Sequence, residues 1–181
     1  MNDLNKWFKR ISLVSLIAIG LCTGIVKTYE GDIPKGYKDP IGIPTAGVGH
    51  TGPDVIVGKY YSDAIREGWL KEDLTDAAAI VESCAPNDID VYQRAAFISF
   101  AFNVGRGKKG VKDGFCVLKK GTVPSHIRYA RLHNKAKSCA CLKQWVTAGG
   151  KKLKGLVKRR EAEYKLCMTE PPKEEKKDGQ S

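Results

Sequence analysis

The sequence lacks an internal repeat, a Walker-type phosphate loop, a zinc-finger signature and an RNA-binding motif. These absences exclude repeat architectures and remove the usual sequence signs of a nucleotide-binding function. The chain also lacks the length of a large multidomain protein, because its 181 residues provide one ordinary domain with a single core. Hydrophobic residues make up 42% and charged residues 28% of the chain, a balance typical of a folded globular protein.

Acidic residues are scarce in the C-terminal half. Residues 105–168 contain 18 Lys and Arg against 3 Asp and Glu, whereas residues 11–104 contain 7 against 12. A charge distribution this uneven favours a polyanionic partner, which includes nucleic acid, an anionic membrane and an acidic wall polymer. The basic residues have little aromatic interleaving and accompany no nucleic-acid motif, so we expect no nucleic-acid partner.

The N-terminus has a positive flank followed by an uncharged run. Lys6, Lys9 and Arg10 precede residues 11–26, which carry no charge. This order predicts that the N-terminus stays cytoplasmic and that the body of the chain is exported. The run contains Ser, Thr and Gly and no clear cleavage triplet, which favours an uncleaved segment. A cleaved signal peptide and a buried core helix are the alternatives.

The six cysteines do not have the spacing of a zinc site, because Cys139-x-Cys141 has no second matched pair and the three histidines are scattered. We therefore expect no metal. In an exported body the default fate of cysteines is the disulfide. Cys139 and Cys141 are too close in sequence to bridge each other, so at least two bridges are expected to reach distant partners.

Along the body, the Gly- and Pro-rich residues 31–58 predict turns and a small sheet. Helical spacing then predicts one helix face from Leu70 to Val81, and residues 89–102 predict a helix buried on nearly all sides. Further helices are predicted at 125–134, 138–148 and 152–168. The chain ends in a charged, Pro-containing segment, 169–181, that we interpret as a solvated tail.

The last predicted helix carries Leu153, Val157, Tyr164 and Cys167 on one face, with Arg160 on the same face. An arginine directed inward requires a carboxylate partner, because an isolated buried charge is very costly. The alternative is that its stem packs while its guanidinium reaches water.

Three carboxylates, Glu30, Asp32 and Asp39, lie within ten residues of one another. Hydrolysis of a glycosidic bond needs one carboxylic acid to protonate the leaving oxygen and a second carboxylate to activate or orient water. Spacing alone carries this weakly, since most such carboxylates are solvated.

Four separated strings together resemble the phage-type lysozymes, the muramidases of glycoside hydrolase family 24. Glu30, eight residues, Asp39, five residues and Thr45 reproduce the gaps of that family's catalytic residues. The surrounding strings agree in order along the chain: YEG at 29–31, TAGVGHT at 45–51, SFAFNVG at 99–105, and Trp145 with AGGKKLKGLVKRREAE at 148–163.

The resemblance implies that Glu30 is the general acid, that Asp39 positions or activates the attacking water, and that Thr45 holds this water. Inversion at the sugar is the outcome expected from the family. Asn103 is expected to contact substrate, or to cap its helix. The resemblance also implies that an inward arginine near Glu30 holds and tunes the acid. Periodicity favours Arg160 over Arg159 for this place, with Arg159 as the alternative, and Arg160 is also expected to take part in substrate binding. His50 is expected to brace the hairpin.

Some endolysins of this family carry an uncleaved, weakly apolar signal anchor that later leaves the membrane. Residues 11–26 suit such an anchor, because Gly, Ser and Thr lower the cost of leaving lipid. Cys22 within this run is a candidate latch that pairs only after release.

These observations predict an α+β fold with a small antiparallel sheet lobe, a mainly helical lobe and an active-site cleft between them. The predicted organisation is a signal anchor at 1–26, a catalytic domain at 27–168 and the tail at 169–181. The predicted function is that of a monomeric, cofactor-free muramidase that acts on peptidoglycan during host-cell lysis, tethered to the host inner membrane through 11–26 and then released to the periplasm. A lytic transglycosylase and a non-catalytic cationic wall- or membrane-binding protein are the alternatives.

Overall fold

The computed structural model describes residues 11–39 and 42–172, so the basic flank at 1–10 and residues 173–181 of the predicted tail lie outside the described residues. The helices are α1 Leu13–Glu30, α2 Asp63–Glu82, α3 Val91–Val104, α4 Ser125–Arg131, α5 Lys135–Ala140 and α6 Lys154–Met168. The strands are β1 Ile33–Lys38, β2 Pro44–Gly47, β3 His50–Thr51, β4 Thr147–Ala148 and β5 Lys151–Lys152. The predicted α+β class is confirmed.

Helix α3 is the centre of the helical lobe. Its first turn is capped by Asp90, whose side chain accepts hydrogen bonds from the backbone N–H groups of Tyr92 at 2.9 Å and Gln93 at 3.0 Å. Every residue from 93 to 101 is buried, and helices α1, α2 and α6 pack around it. The prediction of a helix buried on nearly all sides is confirmed, although the helix begins at the Asp90 cap.

Helix α1 places small residues against this core. Its buried residues recur every three or four positions: Ser15, Ala18, Cys22 and Val26. Its other face exposes large aliphatic side chains: Leu13, Val14, Ile17 and Leu21. The helix runs without interruption from the uncharged segment to Glu30, so the predicted anchor and the predicted acid belong to one helix.

Helix α1 is also the one helix, among the described residues, that is long and apolar enough to cross a membrane, with a mean hydropathy of 1.4 over 18 residues. A core helix and a signal sequence satisfy the same criterion.

The sheet lobe is an antiparallel sheet in the order β1-β2-β3, in which Tyr37 lies opposite Thr45. The loop after β3 runs back along β1, where the N–H of Gly36 donates to the carbonyl of Lys59 at 2.8 Å. A Cβ atom at Gly36 would collide with the carbonyl of Ile56, so this close approach requires glycine. The prediction of turns and a small sheet at 31–58 is confirmed.

Two predictions about the C-terminal part are wrong. The helix predicted at 138–148 is instead the end of α5, a 3-10 turn at Cys141–Gln144 and strand β4. The chain turns there because Gly149 and Gly150, with φ of +56° and +75°, form the hairpin between β4 and β5. Leu153, which precedes α6, and Val157 within it do not face inward and are exposed, whereas Arg159, Arg160, Glu163 and Cys167 are buried.

Two disulfides close loops in the helical lobe. Cys84 is bonded to Cys116, and Cys139 is bonded to Cys167, which ties the region of α5 to α6. Loops of 32 and 28 residues correspond to about 3.5 kcal/mol of stabilisation each in the chain-entropy account. Two distant bridges were predicted and are present. Cys22 and Cys141 are free and buried, so the expected pairing of Cys22 is not found in this fold.

Candidate active site

Glu30 is the last residue of α1 and stands where the two lobes meet. The helix ends because Gly31 adopts a φ of +75°, with its N–H returned to the carbonyl of Lys27 at 3.2 Å. The Glu30 side chain keeps 24% of its surface exposed. Its Oε2 points to the β2–β3 turn, where a Cβ atom at Gly49 would lie 3.7 Å away. One carboxylate oxygen therefore faces the sheet lobe.

The other oxygen of Glu30, Oε1, accepts a short hydrogen bond from Nη1 of Arg159. The Arg159 guanidinium is buried and is fixed at two further points. Its Nε donates to Oε1 of Glu163 at 3.1 Å, and its Nη2 donates to the carbonyl of Ser99 at 3.2 Å. The expectation that Arg160 lies beside Glu30 is wrong, because Arg159 occupies that place.

Arg160 is turned to the other side of the same carboxylate. Its Nη2 donates to Oδ1 of Asn103 at 2.5 Å, its Nη1 lies 2.9 Å from Oε2 of Glu163, and its guanidinium lies over the ring of Phe100. The inward orientation and the carboxylate partner of Arg160 are confirmed, but the partner is Glu163. Burial lowers the pKa of Arg160 to about 10, which leaves it charged at neutral pH.

Glu163 is a buried carboxylate that the sequence analysis did not select. Its Oε1 also accepts a hydrogen bond from Oγ of Ser99 at 2.7 Å. Burial raises the pKa of Glu163, and the charges of Arg160 and Arg159 together with the Ser99 hydroxyl oppose this rise. The signal was present in the sequence, since Glu163 follows Arg159 by four residues and Arg160 by three, which places all three on one helix face.

Asp39 and Thr45 lie on the hairpin that follows Glu30. Asp39 directly follows β1, and its Oδ1 accepts a hydrogen bond from the N–H of Ile43 at 2.8 Å. Thr45 is buried in β2, and its hydroxyl donates to the carbonyl of Ile43 at 3.0 Å. Because the hydroxyl proton of Thr45 is already used, this side chain can accept a hydrogen bond from a water molecule.

Asp32, the third carboxylate of the sequence cluster, serves the join between the lobes. Arg66 of α2 donates to its two oxygens at 2.6 Å and 3.0 Å, and donates to the carbonyl of Tyr61 at 2.5 Å. The hydrogen bond from Arg66 holds the pKa of Asp32 below its usual range. Asp32 therefore ties the strand after Glu30 to α2.

His50 links the hairpin to the same helix. Its Nδ1 lies 2.9 Å from Oδ2 of Asp73, and its ring stacks on Trp69 at 4.5 Å between centroids. The prediction that His50 braces the hairpin is confirmed.

Two open cavities flank the site. One, of about 220 Å³, is lined by residues of the β2–β3 hairpin, α2 and α3, including Gly49, Thr51 and Asp73. The other, of about 540 Å³, is lined by Asn103 and Trp145 among others. Asn103 is not the cap of α3, because Gly105 holds that position.

Within the described ranges, no group of three or more His, Cys, Asp or Glu could hold a metal ion.

The sequence profile described as Phage lysozyme matches residues 27–163. This segment contains Glu30, Asp39, Thr45, Arg159 and Glu163. The chain belongs to the phage lysozyme family. A SAR-endolysin of Bacteriophage PS119 is 34% identical to it over 139 residues, which cover 77% of this chain and 76% of the relative.

Solved structures share the fold of this phage lysozyme. A mutant of P22 lysozyme is 27% identical, with a TM-score of 0.65, covering 88% of this chain and 99% of that one. The active form of the P1 phage endolysin Lyz is 24% identical, with a TM-score of 0.67, covering 91% of this chain and 88% of that one. The phage lysozyme match begins at residue 27, within α1 and after the buried Cys22.

Proposed function

We propose that this chain hydrolyses the β-1,4 bond between N-acetylmuramic acid and N-acetylglucosamine of peptidoglycan, with Glu30 as general acid. Membership of the phage lysozyme family makes the chain a glycoside hydrolase of the endolysin type. The observation that carries the assignment of Glu30 is its position: a carboxylate at the junction of the lobes, part exposed, with one oxygen anchored by Arg159 and the other facing the sheet lobe.

In the proposed reaction Glu30 acts on the leaving group, and Asp39 and Thr45 of the hairpin act on the attacking water. Glu30 gives its proton to the leaving glycosidic oxygen, and a water molecule attacks the sugar from the opposite face. Asp39 orients or activates this water, and the Thr45 hydroxyl accepts a hydrogen bond from it. Attack by water, without a covalent intermediate, inverts the configuration at the sugar. Asn103 lines the larger of the two cavities, which supports its assignment as a substrate contact.

Arg160, which we expected to bind substrate, is fully buried and bonded to Asn103 and Glu163. We assign to it an indirect part in binding, through the orientation of Asn103. The basic residues of 105–168 favour adhesion to anionic murein.

The test is the clearing of purified Gram-negative murein by the wild type, Glu30→Gln and the control Glu67→Gln, whose carboxylate forms a surface pair with Lys27. Glu30→Gln is expected to lower the rate at least about a thousandfold, because the proton donor is lost. Glu67→Gln is expected to match the wild type. Mass spectrometry of the fragments identifies the sugar ends.

Reducing ends that depend on Glu30 support the hydrolase. Anhydro ends would indicate a lytic transglycosylase instead. Equal clearing by Glu30→Gln would indicate a cationic wall- or membrane-binding protein and would overturn the proposal.

We also propose the organisation predicted from the sequence: an anchor at 1–26, a catalytic domain at 27–168 and a charged tail from 169. The apolar α1 and the SAR-endolysin relatives are consistent with a membrane signal anchor. The proposed sequence of places is the host inner membrane, with the catalytic domain periplasmic, and then the periplasm.

Gly20 and Gly24 allow a sharp test of the anchor. A Cβ atom added at either position meets nothing within 4 Å, and both positions are exposed, so Gly20→Leu and Gly24→Leu are expected to raise the apolarity of α1 with little change in its packing. The double variant is expected to stay in carbonate-washed membranes after wild type has left. Gly155→Leu in α6, equally unobstructed, is the control. Release of the double variant at the wild-type rate would contradict a reversible anchor.

A further inference from the structure

Glu163 is the carboxylate shared by the two arginines of the site. One of its oxygens accepts hydrogen bonds from Nε of Arg159 at 3.1 Å and from Oγ of Ser99 at 2.7 Å, and Nη1 of Arg160 lies 2.9 Å from the other oxygen. Glu163 is fully buried, so water does not compete for these hydrogen bonds. The side chain of Glu163 therefore fixes where both guanidinium groups point.

The orientation of Arg159 depends on this carboxylate. With Nε bonded to Glu163 and Nη2 bonded to the carbonyl of Ser99, only Nη1 is left to reach Glu30. Loss of the Glu163 acceptor would leave the guanidinium attached at one buried point, and it would no longer be held in a single geometry.

The charges of the cluster make a second argument. When Glu30 is ionised, the two arginines are balanced by Glu30 and Glu163. When Glu30 holds the proton that it must donate, the balance is two positive charges against Glu163 alone. Without Glu163, Glu30 would face two uncompensated cations, which favour its ionised form and make it a poor acid.

We propose that Glu163 is a positioning residue for the reaction, which directs Arg159 to Glu30 and offsets the charge of the arginine pair so that Glu30 can carry its proton. This inference rests on the proposed role of Glu30 as general acid. Glu163 does not touch substrate, because its side chain is fully buried.

The other groups near Glu30 are either charged residues that pair with other partners or uncharged residues. On its own helix, Lys27 pairs with Glu67 at 3.4 Å, and after the helix Asp32 is bound by Arg66. The β2–β3 turn presents Gly49 to Glu30, and Ser99 of α3 receives Arg159 on its carbonyl. Asp39, which follows β1, accepts the N–H of Ile43. From α6, the charged groups that face Glu30 are Arg159, with Arg160 and Glu163 behind it.

The experiment compares wild type, Glu163→Gln and Glu161→Gln on soluble murein oligomers, with kcat and KM measured from pH 4 to 9. Glu161 is the matched control, because it lies on the same helix, is only half-buried and pairs with Lys143 at 3.1 Å. A ¹³C NMR titration of the Glu30 carboxyl is recorded for each protein.

For Glu163→Gln we expect the basic limb of kcat to move to lower pH by about one unit or more, with KM changed less than about twofold. The Glu30 carboxyl is expected to titrate lower by a similar amount. Glu161→Gln is expected to match the wild type. An unchanged profile, or an equal fall of kcat at every pH with an unchanged Glu30 titration, would overturn the proposal and leave Glu163 a structural residue.

If Glu163→Gln does not fold, Glu163→Asp decides. Its charge is kept, so the basic limb should stay in place, but its shorter side chain cannot hold Arg159 and kcat should fall about tenfold or more. Full kcat in Glu163→Asp would overturn the proposal. The NMR titration reports on Glu163 without any turnover. The role of Glu30 as general acid is tested separately, because an active Glu30→Gln variant would refute it whatever the result for Glu163.

Discussion

Arg159 donates a hydrogen bond to Glu30 across 129 residues of sequence, from the C-terminal helix to the end of the first one. This contact joins the helical lobe to the residue that we propose as the proton donor. A cation beside a general acid has two opposed effects, since it fixes the carboxylate in place and also favours its ionised form. The buried Glu163 behind Arg159 moderates the second effect.

Replacement of Arg159 should separate these two effects. Arg159→Gln is expected to lower kcat on soluble murein oligomers by about 10- to 100-fold, because Glu30 is no longer held in the productive geometry. The basic limb of its pH profile is expected to move to higher pH, because the cation that favours ionised Glu30 is gone. This is the direction opposite to that expected for Glu163→Gln.

Lys158→Gln is the control for this prediction, since it removes one positive charge from the neighbouring, exposed position of the same helix. A wild-type profile for Lys158→Gln supports a local effect. Wild-type kinetics for Arg159→Gln would show that the contact with Glu30 has no part in the reaction.

The sequence pattern predicted the hairpin and the buried helix α3, because α3 is apolar on nearly every side, and it selected Glu30, Asp39 and Thr45 as candidates because they are local in sequence. It did not distinguish Arg159 from Arg160. Adjacent helical residues differ by only about 100° around the axis, and both face the core here. Which of them reaches Glu30 depends on how α6 is rotated against α1 and α3, and that rotation is a property of the packed structure.

The same limit explains the misassigned face of α6. Apolar periodicity selected Leu153 and Val157, which are exposed, because the face that packs inward is built of two arginines and a glutamate. Charged residues are rarely buried unless they are paired, so apolar periodicity does not reveal a helix face that is buried through an ionic cluster. The pairing itself, at three and four residues, was the informative pattern.

His126 is expected to make stability depend on pH. Its side chain is fully buried. Nε2 lies 2.9 Å from the carbonyl of Phe115, and Nδ1 has no hydrogen-bond partner among the residues that the structure describes. Burial lowers the pKa of His126 to about 4, against an unfolded value of 6.5. Between these values the unfolded chain binds a proton that the folded chain does not, so stability is complete above about pH 6.5 and falls by about 3 kcal/mol toward pH 4.

Denaturant unfolding at pH 7 and at pH 5 measures this contribution. His126→Gln, which keeps an N–H donor for Phe115, is expected to lose less stability between the two pH values than wild type. His133→Gln, at an exposed position, is expected to keep the wild-type difference. An identical difference in all three proteins would show that another group titrates.

Glu82 is expected to hold the beginning of α1 on α2. Its Oε1 accepts hydrogen bonds from the N–H of Ser12 at 2.8 Å and from the hydroxyls of Ser12 and Ser15 at 2.6 Å each. Burial opposes the charge, but these hydrogen bonds outweigh it and hold the pKa of Glu82 below its usual range. The contribution is therefore present at neutral pH and is lost as the pH falls through that lowered value.

Glu82→Gln should speed amide exchange in the first turn of α1 by about fivefold, which corresponds to about 1 kcal/mol for weakened hydrogen bonds at a part-exposed site. Exchange in α3 should not change. Glu67→Gln, on the same helix as Glu82 and in a surface ion pair, should leave the first turn as it is. Equal exchange in both variants would mean that packing alone fixes this turn.

The cysteines give a prediction that can be counted. Two disulfides, Cys84–Cys116 and Cys139–Cys167, leave Cys22 and Cys141 as buried thiols in the folded enzyme. A thiol reagent should therefore react with almost none in the folded protein, with two per chain in guanidinium without reductant, and with six after reduction. Buried thiols are unreactive because the reagent needs access to the thiolate. Fewer than two in guanidinium would reveal a third bridge between Cys22 and Cys141, and Cys22→Ser would then restore one free thiol. The same variant should leave clearing of murein unchanged if Cys22 is only a small core residue against α3, whereas a loss of activity would support the latch that the sequence suggested.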